Sequence, residues 1–230
     1  VAELSEAVAK VGDELEQQRL PVWTARLKTP AETLRTRLES AMERLTTTRP
    51  FRAMIQPRPM TPMAQTRLAL IAKRDKEFAE AVDVAVEKFQ AQVTEAIQKS
   101  VHECFEWAFL AFGAAVKKSV EQSGIEVAVN LLDAEKKIVE QLRADNGLTA
   151  EDNVFITLEG TEIRLIGIVL SAVAKKPTLD MTRAEIRFGF DSLVNGLHGR
   201  LEGILQGFVV AAYHQASREI FAHGKLARVA

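Results

Sequence analysis

The sequence predicts a mainly α protein, an elongated helical bundle with two long helices and one inserted β-hairpin. Three observations carry this reading. From Met63 there is no proline until Pro177 and no glycine until Gly113. Through that run and again after Asp180, apolar residues recur at steps of three and four, the period of a helix buried on one face. Between the two runs, around Asn153–Leu170, the apolar residues instead alternate, the period of a strand. Composition agrees with a globular chain. Of 230 residues, 47% are apolar and 27% charged, enough to build a core and too polar for a protein made of membrane spans.

Val1, Leu4, Val8, Val11 and Leu15 form a narrow seam lasting about two heptads, too short to stand as an independent coiled coil. Pro21 is expected to end this helix. Thr29-Pro30-Ala31-Glu32 then reads as a helix start, with Thr29 as cap, Pro30 in the first position and Glu32 as capping-box partner. Leu34, Leu38, Met42 and Leu45 are its apolar stripe. Residues 1–48 are thus a two-helix N-terminal arm. Residues 49–62 hold Pro50, Pro57, Pro59 and Pro62 and form an extended Pro/Arg-rich linker. Residues 63–230 are the helical core domain.

The first long helix, Thr61–Gln122, carries Phe78, Val82, Val86, Phe89, Val93, Ile97, Val101, Phe105, Phe109, Phe112 and Val116 on its apolar face. At 1.5 Å per residue an unbroken helix of this length measures about 90 Å, so it must break, near Lys76 or Gly113, or make the protein elongated. From Cys104 to Val116 the apolar residues face all directions, which predicts burial on every side. The only cysteine, Cys104, lies in this stretch and is expected in the core. Ser123-Gly124 ends the helix, and Ile125–Ala144 has the pattern of another. The hairpin at about 153–170 follows, with Val154, Ile156 and Leu158 on one face, Leu158 opposite Ile163 and Ile156 opposite Leu165 across a turn at Gly160-Thr161, where the glycine supplies φ > 0.

The last helix, Asp180–His223, is capped by Asp180 or Thr182 and buries Ile186, Phe190, Leu193, Leu197, Leu201, Ile204, Phe208 and Ala212. Five glycines interrupt it: Gly189, Gly196, Gly199, Gly203 and Gly207. Each costs about 1 kcal/mol relative to alanine, so the group must be offset by something. Gly196, Gly199, Gly203 and Gly207, continued by Ala211, form a row most of which lies roughly 90° or more from the apolar stripe, with Ala211 drifting closer to it. They form a smooth helix-packing face on which another backbone can approach closely. Packing within the monomer, packing between subunits and insertion into a membrane are the three uses, with the membrane disfavoured by Arg187, Arg200 and Glu202 on the same helix.

Charge is unevenly placed although the net is −1. Arg49, Arg52, Arg58, Arg67, Lys73, Arg74 and Lys76 face only Asp75 over residues 49–76. Residues 77–152 have seven basic against fifteen acidic side chains. The basic strip can contact a polyanion, and with Phe51 as its one stacking aromatic it is suited to non-specific rather than sequence-reading contact with nucleic acid.

No catalytic or cofactor signature is present: no Gly-x-Ser-x-Gly, P-loop, dinucleotide fingerprint or HExxH. His102 and Glu106 are one helical turn apart and could share a metal, but their order reverses the Glu-x-x-His pattern of di-iron bundles. No catalytic, cofactor or metal residue is assigned, and an enzyme is not expected. The sequence favours a structural or assembly subunit that self-associates through helices, in an intracellular or virion-type compartment. An adaptor binding one protein partner comes second. A membrane-active protein with an apolar hairpin tongue comes third.

Overall fold

In a computed structural model the described residues are 2–48, 51, 76–122, 151–175 and 178–226. Among them the protein is mainly α-helical and has no strand. The helices are α1 (Ala2–Glu14), α2 (Leu20–Ala25), α3 (Lys28–Thr47), α4 (Lys76–Gln122), α5 (151–158), α6 (Thr161–Lys175) and α7 (Leu179–Leu226). A π-helical turn, Leu15–Arg19, joins α1 to α2. Of the linker only Phe51 is described, helical and 3% exposed, so it is not presented for stacking as the sequence suggested; the rest of the linker and the expected helix at Ile125–Ala144 lie outside the described residues.

Pro21 does not end the first helix. It has no N–H to give, and its ring crowds the preceding turn. The π turn widens the backbone just before it, with the Leu20 N–H reaching the Leu15 carbonyl five residues back. The chain thus stays helical as far as Ala25. α3 starts at Lys28, one residue before the expected cap, and Pro30 is accommodated in the first turn, where amides have no intrahelical partner.

The hairpin expected at 153–170 is replaced by two helices meeting at Gly160. Val154 and Leu158 are four apart, a spacing that strands and helices share, and the residue that separates the two is Ile156. A hairpin would bury it, yet it is 66% exposed. The buried series Val154, Leu158, Thr161, Leu165, Val169 and Ala172 steps by threes and fours. Gly160 does adopt φ +68°, but to terminate α5 rather than to turn a hairpin. Arg164 reaches back over this junction, its Nη2 donating to the Glu159 carbonyl at 2.9 Å.

α4 runs unbroken from Lys76 through Gly113 to Gln122. α7 begins earlier than expected: the Thr178 hydroxyl accepts the Met181 N–H at 3.2 Å, so Thr178, not Asp180 or Thr182, is the cap. Its buried stripe is Ile186, Phe190, Val194, Leu197, Leu201, Leu205, Val209, Ala212, Ala216 and Ile220. The expected Leu193, Ile204 and Phe208 sit one residue off this line and are half-buried.

The chain divides into two compact units. One comprises residues 1–27, 94–153 and 201–230. In it α1–α2 lie antiparallel to α4, as shown by Trp23 meeting Glu103 and Arg26 meeting Ser100. α4 and α7 run parallel, Cys104 facing Val209 and Phe112 facing Phe221. The other comprises residues 28–93 and 154–200. There α3 lies antiparallel to α7, with Glu39 paired to Arg187 at 2.8 Å and Thr46 accepting from Arg183 at 2.9 Å.

Candidate helix-packing surface

The glycines of α7 separate into two kinds. At Gly189 an added Cβ would lie 2.4 Å from Ile168 Cγ2, so this glycine is required by the close approach of α6. At Gly196, Gly199, Gly203 and Gly207 a Cβ would meet nothing within 4 Å. Among the described residues no neighbouring helix closes on these four.

Their openness follows from register. Gly196, Gly199, Gly203 and Gly207 each stand two residues beyond a member of the buried stripe: Val194, Leu197, Leu201 and Leu205. Two residues at about 100° each turn the helix by about 200°, so the row lies on the back of α7. Ala211 continues it and is exposed.

In the unit containing residues 154–200, α6 and α7 border a groove of about 600 Å³. Its α7 side includes Glu185, Phe188, Ser192, Gly196 and Arg200, and Arg164 comes from α6. Phe188 is 73% exposed, unusual for so large an apolar side chain. Phe155, Ile156 and Ile163, near the α5–α6 junction, are also exposed.

The other unit concentrates aromatic and polar side chains in a way the sequence did not suggest. Trp107 packs edge-on against Trp23 at 6.2 Å and stacks on Tyr213 at 6.5 Å, with the Arg19 guanidinium 5.3 Å from its ring centre. Leu110, expected inside, is 61% exposed, so the Cys104–Val116 stretch is not buried on every side. The carboxylate of Glu103 accepts from Arg26 at 2.5 Å and from the Trp23 indole at 3.2 Å. Burial pushes the Glu103 carboxyl up, but these hydrogen bonds and the charges of Arg26 and Lys99 outweigh it and hold it below the ordinary carboxylate value.

Cys104 is fully buried, and burial pushes its thiol up to about 12, which makes it unreactive at neutral pH. His102 Nε2 lies 2.9 Å from Glu106 Oε1, a neighbour pair on one helix. No group of three metal-ligating side chains occurs among the described residues. Of the basic strip, Lys76 is described, at the start of α4; Arg49, Arg52, Arg58, Arg67, Lys73 and Arg74 lie outside the described residues. Among the described residues no helix is long and apolar enough to cross a membrane.

No protein-family model, no curated protein and no solved structure matches the chain.

Proposed function

We propose that the protein is a non-enzymatic assembly subunit that associates with copies of itself through its helices. The observation that carries this reading is the glycine row on the back of α7. Four glycines in a helix interior cost roughly 2–4 kcal/mol relative to alanine, and no contact among the described residues uses the room they leave. A second helix approaching that face would use it, since small residues at such steps let backbones come close. The exposed Phe188 beside the groove is compatible with the same reading, because it offers apolar area next to Gly196 that a second copy could cover.

Sedimentation velocity over a range of concentrations tests this. Association that strengthens with concentration is expected, and a strict monomer at high concentration overturns the reading. A second reading, an adaptor that receives a different protein, is favoured by Phe155, Ile156 and Ile163 at the α5–α6 junction. It would be preferred if the chain stays monomeric. Contact of the basic strip with nucleic acid is proposed as non-specific only. Retarded gel mobility that vanishes as salt rises is its signature, and unchanged mobility at low salt removes it.

A further inference from the structure

We infer that the groove between α6 and α7 receives the same face of α7 from a second copy, antiparallel and related by a two-fold axis passing close to Ser192. This deepens the self-association reading and rests on it. The groove face of α7 carries a bump and a hollow: the exposed Phe188 ring and, eight residues on, the empty space over Gly196. It also carries opposite charges at its two ends, Glu185 at one and Arg200 at the other.

A two-fold contact is self-complementary: if residue i meets residue j of the copy, j meets i. The midpoint between Phe188 and Gly196 is Ser192. The midpoint between Glu185 and Arg200 falls between Ser192 and Leu193. At 1.5 Å of rise per residue these midpoints differ by less than about 1 Å along the helix. One axis therefore seats each Phe188 over the copy's Gly196 and sets each Glu185 opposite the copy's Arg200. A parallel copy in register would instead oppose Glu185 to Glu185, Arg200 to Arg200 and Phe188 to Phe188. Charge and shape thus select the antiparallel arrangement by the same register, which is how interfaces gain specificity as well as affinity.

The test uses the full chain and three variants, followed by sedimentation and by thermal melting as a check on folding. Gly196→Leu fills the hollow. Its Cβ meets no described atom within 4 Å and leucine is the better helix former, so melting should not fall while self-association weakens about tenfold or more. Glu185→Arg and Arg200→Glu each set like charges opposite one another at both symmetry-related pairs and should weaken self-association similarly. An equimolar mixture of these two variants forms a heterodimer in which both pairs are again opposite in sign, and association should return to near the original strength. A charge variant that fails to fold leaves Gly196→Leu to decide. If the unaltered chain associates but Gly196→Leu associates equally well, or if mixing restores nothing, this interface is overturned while self-association stands. If the unaltered chain is a monomer, both fall.

Discussion

Replacing the four open glycines of α7 with alanine should stabilise the folded chain, an unusual direction for substitutions in the middle of a long helix. The effect can be sized from geometry. At Gly196, Gly199, Gly203 and Gly207 the added methyl meets no heavy atom of the described residues within 4 Å, so no steric cost is subtracted. What remains is the reduced conformational freedom of the unfolded chain and the better helix propensity, about 0.5–1 kcal/mol at each position. The four together give roughly 2–4 kcal/mol. For a chain of this size 1 kcal/mol moves the melting temperature by about 2–4 °C, so the quadruple variant should melt roughly 4–16 °C higher. Gly189→Ala is the internal control, because its Cβ would lie 2.4 Å from Ile168 Cγ2. Forcing α6 and α7 apart there should cost about 1–3 kcal/mol and outweigh the propensity gain. Calorimetry or circular dichroism at low protein concentration, where association contributes little, reads both. A quadruple variant that melts lower than the parent would refute the claim that this face is open, and a Gly189→Ala variant as stable as the quadruple set would refute the division of the glycines into two kinds.

Three further outcomes follow from local geometry. Gly160→Ala places a side chain at φ +68° and should cost about 1–2 kcal/mol, measured by denaturant titration, with an unchanged midpoint counting against a left-handed junction between α5 and α6. Cys104 should resist a thiol reagent at pH 8 until the chain unfolds, since burial raises its pKa to about 12, and rapid labelling of the native protein would contradict that burial. The folded-state pKa of Glu103 is depressed, so its contribution is present above the ordinary carboxylate value of 4.5 and is lost as pH falls through the lower folded value. Arg26→Ala should therefore cost about 1 kcal/mol at pH 7, modest because both side chains keep partial contact with water, and the difference from the parent should shrink on acidification; a difference that is the same at pH 7 and pH 2.5 would show that the Arg26–Glu103 pair is not its source.

What was legible in the sequence was whatever a single helical period determines. The stripe from Phe78 to Phe112 is buried as its spacing requires, and Ile186, Phe190, Leu197 and Leu201 hold the same place on α7. The misreadings share a cause: the deciding information was not local. Val154 and Leu158 fit both periods, and the outward position of Ile156 depends on what packs against α5. Pro21 is a helix breaker only if the preceding turn stays α, and the π turn at Leu15–Arg19 has no sequence signature of its own. Leu110 lies outside although its neighbours Phe109 and Phe112 lie inside, because an apolar stretch does not state how many partners surround it. The candidate surface was legible as a row of small residues. That the row faces away from the core, and that Gly189 does not belong with it, required the positions of Ile168 and of the buried stripe.

The two long helices show why so many glycines can stand on one of them without breaking it. On α4 the buried residues Phe78, Val82, Val86 recur eleven residues on as Phe89, Val93, Ile97, and Val93, Ile97, Val101 recur as Cys104, Ala108, Phe112. On α7 Ile186, Phe190, Val194 recur as Leu197, Leu201, Leu205, and Leu201, Leu205, Val209 as Ala212, Ala216, Ile220. An eleven-residue repeat has about 3.67 residues per turn, close to that of a straight α-helix, so a stripe built on it stays on one side for many turns where a heptad seam would need a left-handed supercoil. The back of the helix inherits the same regularity. Ser192, Gly196 and Gly199 recur as Gly203, Gly207 and Val210, so the outward row keeps its bearing for as long as the core does. Tertiary burial along the front, rather than propensity, holds α7 helical. Among the described residues nothing packs against the back at these glycines. Glycine on such a face is conformationally wasteful unless a second surface closes on it, which is the physical reason for testing the proposed self-association at this row first.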